Sequence, residues 1–197
     1  MKKIILLIIL STISMSALMS QESVNSPDNE LRPALLVIDI QNNFVNWMDK
    51  EDIETRYEYI NYAIALFRKH DLPVIRVYHT TLGQGPEEGT KAFEFVDAIA
   101  IQDSDPMVIK NHGNAFNDTD LEQILKEKNS NTLFLTGLSG TGCVLATYFG
   151  AKDLGYDAHM IKNTIISPDV KHTQVVEESQ GALSVNALLL LLKYGVE

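Results

Sequence analysis

Several short apolar runs recur along this chain, and they leave few folds open to it. PALLVIDI (residues 33–40) is apolar almost without a break and carries an acid, Asp39, at its end before Ile40. A strand with one wet face alternates apolar and polar residues, whereas a continuous run suits a strand covered on both faces of a parallel sheet. LPVIRVYH (72–79), PMVIK (106–110), NTLFLTGL (131–138) and YDAHMIKN (156–163) read as further strands. Between them lie helical patterns. Ile53, Tyr57, Ile60, Ile64 and Phe67 repeat at helical spacing over 53–69, a helix is expected over 118–128 from an Asp118 cap, and another over 143–154 is ended by Gly155. Residues 171–194 are helical in composition, with a break near 181–184, and the Gly-rich stretch 82–91 reads as a loop. Strands alternating with helices predict a three-layer α/β/α domain, Rossmann-like, with an open, mostly parallel sheet of five or six strands.

The first residues stand apart from that pattern. Lys2 and Lys3 precede an apolar run from Ile4 to Leu10 and then small and polar residues, the arrangement of a secretory signal. The apolar run is too short for a good membrane span. Residues 1–20 are therefore read as a signal cleaved after Ser16 or Ser20, 21–32 as a linker and 33–197 as the folded domain. The expected destination is export, with the bacterial periplasm favoured over the medium and no membrane attachment after cleavage. Removing Lys2 and Lys3 and no acid takes the formal charge from −10 to −12. Such an acidic chain without a basic block is a poor partner for nucleic acid or an anionic membrane. Cys143 is the one cysteine, so it can form no internal disulfide. It must be buried, paired between chains, or held as a working thiol.

In open parallel sheets ligands bind outside the carboxyl ends of the strands. Asp39 ends the first run, Lys110 ends the short middle run, and Ser139–Gly142 lead from the fourth run to Cys143 at a helix start. Singly, each has a structural explanation: a turn-capping acid, a solvated lysine, a small buried hydrophobe. Together they form an acid, a base and a thiol on one rim. A helix N-terminus and a nearby lysine favour a thiolate, so an acidic thiol is expected. An aspartate in reach can take the thiol's proton and return one to a leaving amine. Gly137, Gly140 and Gly142 allow a tight turn whose amides face a developing oxyanion.

ALLVIDIQNNF (34–44), VIKNHGNAF (108–116) and LFLTGLSGTGCVLATYFGAKDLGYDAHMIKN (133–163) resemble the isochorismatase-like cysteine hydrolases, a superfamily that includes nicotinamidases, carbamoylsarcosine amidases and ureidoacrylate hydrolases. The resemblance covers roughly residues 33–167. It implies Asp39 as the catalytic acid, Lys110 as the catalytic lysine and Cys143 as the nucleophile. It also implies a cis peptide at Leu138–Ser139 and an oxyanion held by the backbone N–H groups of Ser139 and Cys143. The activity implied is hydrolysis of a small amide or ureido C–N bond through a thioester, with no cofactor and a small molecule as substrate. Two alternatives stay open: cleavage of a non-amide bond such as a vinyl ether, and a non-catalytic binding protein with a redox-active thiol.

Departures narrow the expectation. Many relatives place a threonine three residues before the cysteine, where this chain has Gly140. Nicotinamidases carry an Asp-x-His metal cluster after the second strand; here VYHTTLGQG leaves His79 alone, and no metal is expected. Isochorismatases proper often lack the cysteine, so Cys143 favours C–N hydrolysis. By position the pocket candidates are Phe44, Trp47, His79, His112, Phe116 and Tyr148. The resemblance also implies a homo-oligomer, for which ALLLLLKYG near the C-terminus could supply a face; that run could equally complete the monomer's core.

Overall fold

The computed structural model describes residues 30–81 and 85–195, so the stretch expected to be a signal and most of the expected linker lie outside the described residues. Five strands, β1 (Pro33–Ile38), β2 (Val74–His79), β3 (Met107–Lys110), β4 (Thr132–Leu138) and β5 (Asp157–Ile166), form one sheet in the order β3-β2-β1-β4-β5. Every pairing is parallel. The helices are α1 (Asn42–Val45), α2 (Lys50–Lys69), α3 (Leu121–Glu127), α4 (Cys143–Asp153), α5 (Val170–Ser179) and α6 (Val185–Gly195).

The continuous apolar runs follow from burial on both faces. In β1, Leu35 and Val37 join one core with Ile60, Ile64 and Phe67 of α2 and Leu188 and Leu192 of α6. Ala34, Leu36 and Ile38 point the other way, into a second core with Leu121 of α3 and Val144 and Ala151 of α4. Period-two side-chain alternation thus feeds two cores at once, and no residue of β1 is left to face water. The C-terminal run completes the first core through Leu188 and Leu192 and leaves Leu190, Leu191 and Tyr194 exposed.

Some boundaries differ from the sequence expectation. Asp118 adopts φ 53°, in the left-handed region, so it cannot cap a helix; α3 begins at Leu121 behind Asp120. β5 runs on to Ile166, past the expected end at 163, after a register shift opposite β4 between Leu135 and Gly137. The 171–194 stretch divides into α5 and α6 at the expected place. No described helix is long and apolar enough to cross a membrane.

Gly137 shows why the middle of the sheet needs a residue without a side chain. Its φ is +116°, and a Cβ there would lie 2.1 Å from the carbonyl oxygen of Ile38. The last turn of β4 therefore presses directly on the end of β1, beside Asp39.

Candidate active site

The strand order reverses direction at β1: the chain moves to β2 on one side and later returns to β4 on the other. That reversal opens a crevice at the carboxyl edge between β1 and β4. Asp39 stands at its floor with φ 55°, its N–H donating to the Val77 carbonyl at 2.8 Å. Asp39 and Lys110 are each only 1% exposed.

Lys110 reaches Asp39 from two strands away, across the end of β2. Its Nζ donates to Asp39 Oδ2 at 2.7 Å and lies 2.9 Å from His79 Nδ1. His79 Nε2 sits 3.2 Å from Thr81 Oγ1, so the ring accepts from lysine on one nitrogen and donates to threonine on the other. Buried Gln41 clamps the strand ends together: its Nε2 donates to the His79 carbonyl at 3.1 Å and its Oε1 accepts from the His79 N–H at 2.7 Å. The second carboxylate oxygen, Asp39 Oδ1, is buried without a hydrogen-bond donor, an open acceptor for a proton.

Cys143 arrives on the opposite wall. The Leu138–Ser139 peptide bond is cis, and the Ser139 carbonyl accepts from the amides of Gly142 and Val144 at 3.0 and 3.2 Å. Gly140 anchors the elbow to β5, its N–H bonded to the Ile166 carbonyl at 3.0 Å and to Ser167 Oγ at 3.1 Å. This folding leaves the Cys143 amide in the first turn of α4, where amides have no intrahelical acceptor. Asp39, His79 and Cys143 each bring a ligand-type atom within 4.8 Å of the others. The Lys110 ammonium stands between two of them, bonded to Asp39 and His79.

Burial dominates the proton affinities. The Asp39 carboxyl is pushed up by loss of water, against the pull of Lys110. His79 falls to about 4, through burial and then the lysine charge, and is neutral near pH 7. The Cys143 thiol is pushed up to about 11, by burial first and the Asp39 charge second, with Lys110 opposing. The acidic thiol expected from the helix start and the lysine is therefore not what the fold creates. In the resting site the sulfur keeps its proton.

A cavity of about 270 Å³ opens over this group. Asp39, His79, Ser139 and Cys143 form its polar side. Phe44 and Trp47 line it as expected from their positions, joined by Met48, Leu138 and Pro168. The other three pocket candidates are elsewhere. His112 is exposed, its Nε2 3.2 Å from Asp118 Oδ2. Phe116 stacks on Tyr156, just before β5 and hence at the opposite edge of the sheet. Tyr148 is buried in the α4-side core, because five residues along a helix turn it roughly 140° from Cys143. Pro168 was reachable by the strand-end rule, had β5 been carried to its true end at Ile166; nothing in the sequence pointed to Met48. A larger groove, about 520 Å³ between α2 and the start of α6, contains none of the predicted site residues.

Residues 33–182 match the family model of the isochorismatase domain. The chain belongs to the isochorismatase family. It is 25% identical over 153 residues to the secreted isochorismatase effector Isc1 of Verticillium dahliae, covering 76% of this chain and 80% of that one. The isochorismatase family protein YrdC of Bacillus subtilis is 27% identical over 141 residues, 68% of this chain and 73% of the relative. Among solved structures, an isochorismatase family protein superposes with TM-score 0.69 at 25% identity, over 78% of this chain and 98% of that one. N-carbamoylsarcosine amidase from Thermoplasma acidophilum gives TM-score 0.68 at 23% identity, over 78% and 95%, a likeness of fold. The family makes this protein a hydrolase acting on a small molecule.

Proposed function

We propose that the protein is a thiol amidohydrolase that cleaves a small amide or ureido C–N bond through a thioester. The observation that carries this is the buried Asp39–Lys110 pair, with one carboxylate oxygen unengaged beside the only thiol of the chain. Asp39 takes the proton from Cys143 as the sulfur attacks the substrate carbonyl carbon. Lys110 stays protonated, stabilising the thiolate as it forms and holding the carboxylate in place. The oxyanion of the tetrahedral intermediate is held by the N–H groups of Ser139 and Cys143. Asp39 returns the proton to the nitrogen as the C–N bond breaks, releasing ammonia or an amine and leaving a Cys143 thioester. Water, deprotonated by Asp39, then attacks the thioester, and the acid leaves with the thiol restored. None of these steps calls on a cofactor.

A thiol held neutral by burial and by a carboxylate is poorly suited to redox exchange, which needs thiolate character and access. That weighs against a binding protein with a redox-active thiol. The N-terminal pattern, together with a relative described as secreted, supports export of the mature enzyme, with the periplasm as its compartment.

The test is ammonia release from a panel of carboxamides and ureides, with mass spectrometry to trap the thioester. Cys143→Ala and Asp39→Asn should each be folded, by circular dichroism, and lose at least about a thousandfold in turnover. Full activity in either variant refutes the proposal.

A further inference from the structure

The walls of the cavity carry more information than its floor. Five of the nine residues lining it are apolar: Phe44, Trp47, Met48, Leu138 and Pro168. No arginine or lysine is among the described residues that line it. Lys110 lies beneath, with one donor on Asp39 and another toward His79, while its charge acts on Cys143. His79 is held neutral. The ring of His112, the other imidazole near His79, is paired with Asp118 outside the cavity. Among the described residues that line the space, Asp39 is the one formally charged side chain, and its carboxylate is negative, with its Lys110 partner lying behind it.

We propose that this cavity selects an uncharged carboxamide bearing a compact apolar or aromatic group and rejects substrates that carry a carboxylate. The inference rests on the amide-hydrolase function proposed above and narrows it. An anion entering here would lose its water, meet no cation among the described lining residues, Lys110 being already paired behind Asp39, and approach the Asp39 carboxylate. A dicarboxylate such as isochorismate would do so twice. The volume, about 270 Å³, is at or below the lower end of the range of roughly 300–1,000 Å³ that accommodates drug-sized ligands, which sets the scale at an amide plus one ring or a short branched chain. Trp47, 75% exposed at the mouth, is placed to cover such a group once it is bound.

Two measurements on the mature protein test this, one of which needs no turnover. The first compares alkylation of Cys143 by iodoacetamide and by iodoacetate. In both, the thiolate displaces iodide; only the reagent charge differs. The ratio of the two rates should exceed that of the same protein in denaturant by about tenfold or more. The second compares kcat/KM for 4-methylpentanamide and its carboxylate isostere succinamate, expected to differ by about 100-fold or more in favour of the neutral amide. Trp47→Arg, which sets a cation at the mouth, should narrow both ratios. Equal or faster reaction of the anionic member in either comparison overturns the proposal. Alkylation selectivity without hydrolysis of any amide would overturn the proposed amide-hydrolase function and leave the charge selectivity standing. Amide hydrolysis without discrimination would do the reverse.

Discussion

Asp39→Asn should make Cys143 more reactive toward an alkylating agent while abolishing hydrolysis. In the native site the thiol is pushed up to about 11, and the Asp39 charge is the second cause after burial. Near pH 8 only about one sulfur in a thousand is then ionised. The carboxylate and the sulfur lie within 4.8 Å. At an effective dielectric constant of about 20, two like charges at that separation repel by roughly 3 kcal/mol, equivalent to about two decades in the thiolate population. Asparagine keeps the size and removes the charge. Lys110 loses its counter-ion but gains the thiolate as a replacement, which works in the same direction. A less basic thiolate is a weaker nucleophile, with a Brønsted slope of about 0.4–0.5, so the net gain in alkylation rate is about tenfold near pH 8. The assay is the pseudo-first-order rate with iodoacetamide against pH, alongside ammonia release. Unchanged or slower alkylation in the variant would mean that the carboxylate does not hold the proton on sulfur, and the proton-transfer scheme would fail with it.

Gly137→Ala should cost about 3 kcal/mol or more, lowering Tm by roughly 6–12 °C, because its Cβ would meet the Ile38 carbonyl; Gly155→Ala, also at positive φ but facing open space, should cost only about 1 kcal/mol. Thermal unfolding of the two variants checks the contrast. His79 is depressed to about 4 in the folded protein and titrates near 6.5 when unfolded, so the unfolded chain takes up the proton first. The stability this group contributes is complete above about pH 6.5 and is lost as pH falls toward about 4, roughly 2 kcal/mol after allowing for screening at a partly exposed ring. Urea unfolding at about pH 7 and about pH 4 should show that loss in the native protein and a smaller one in His79→Asn.

β1 was legible because burial on both faces leaves an unbroken apolar run, and the strand-end rule then drew Asp39, Lys110 and Cys143 to one rim. That Lys110 would pass across His79 to reach Asp39 was not legible. It depends on β3, β2 and β1 being neighbours in that order, which no local pattern states. The acidity of the thiol was misjudged for a related reason. Helix start and lysine are visible in sequence, whereas the burial that raises the thiol depends on the fold, which gathers segments as distant as Phe44 and Pro168 around the same cavity. Tyr148 and Phe116 were placed by their distance along the chain from the nucleophile and the lysine. Helix phase sends the first into the core and the sheet's opposite edge receives the second.

The raised thiol has a consequence for durability. Peroxide and passing disulfides attack or exchange with thiolates, not thiols. An enzyme whose sulfur is ionised at rest is slowly spent wherever oxidants are abundant and reductants scarce. Here burial and the Asp39 charge favour the protonated sulfur, and in the proposed mechanism Asp39 is also the base that would arm it. On the mechanism proposed above, the nucleophile is generated only during an encounter with a carbonyl and is otherwise stored as a thiol, the form that resists oxidation.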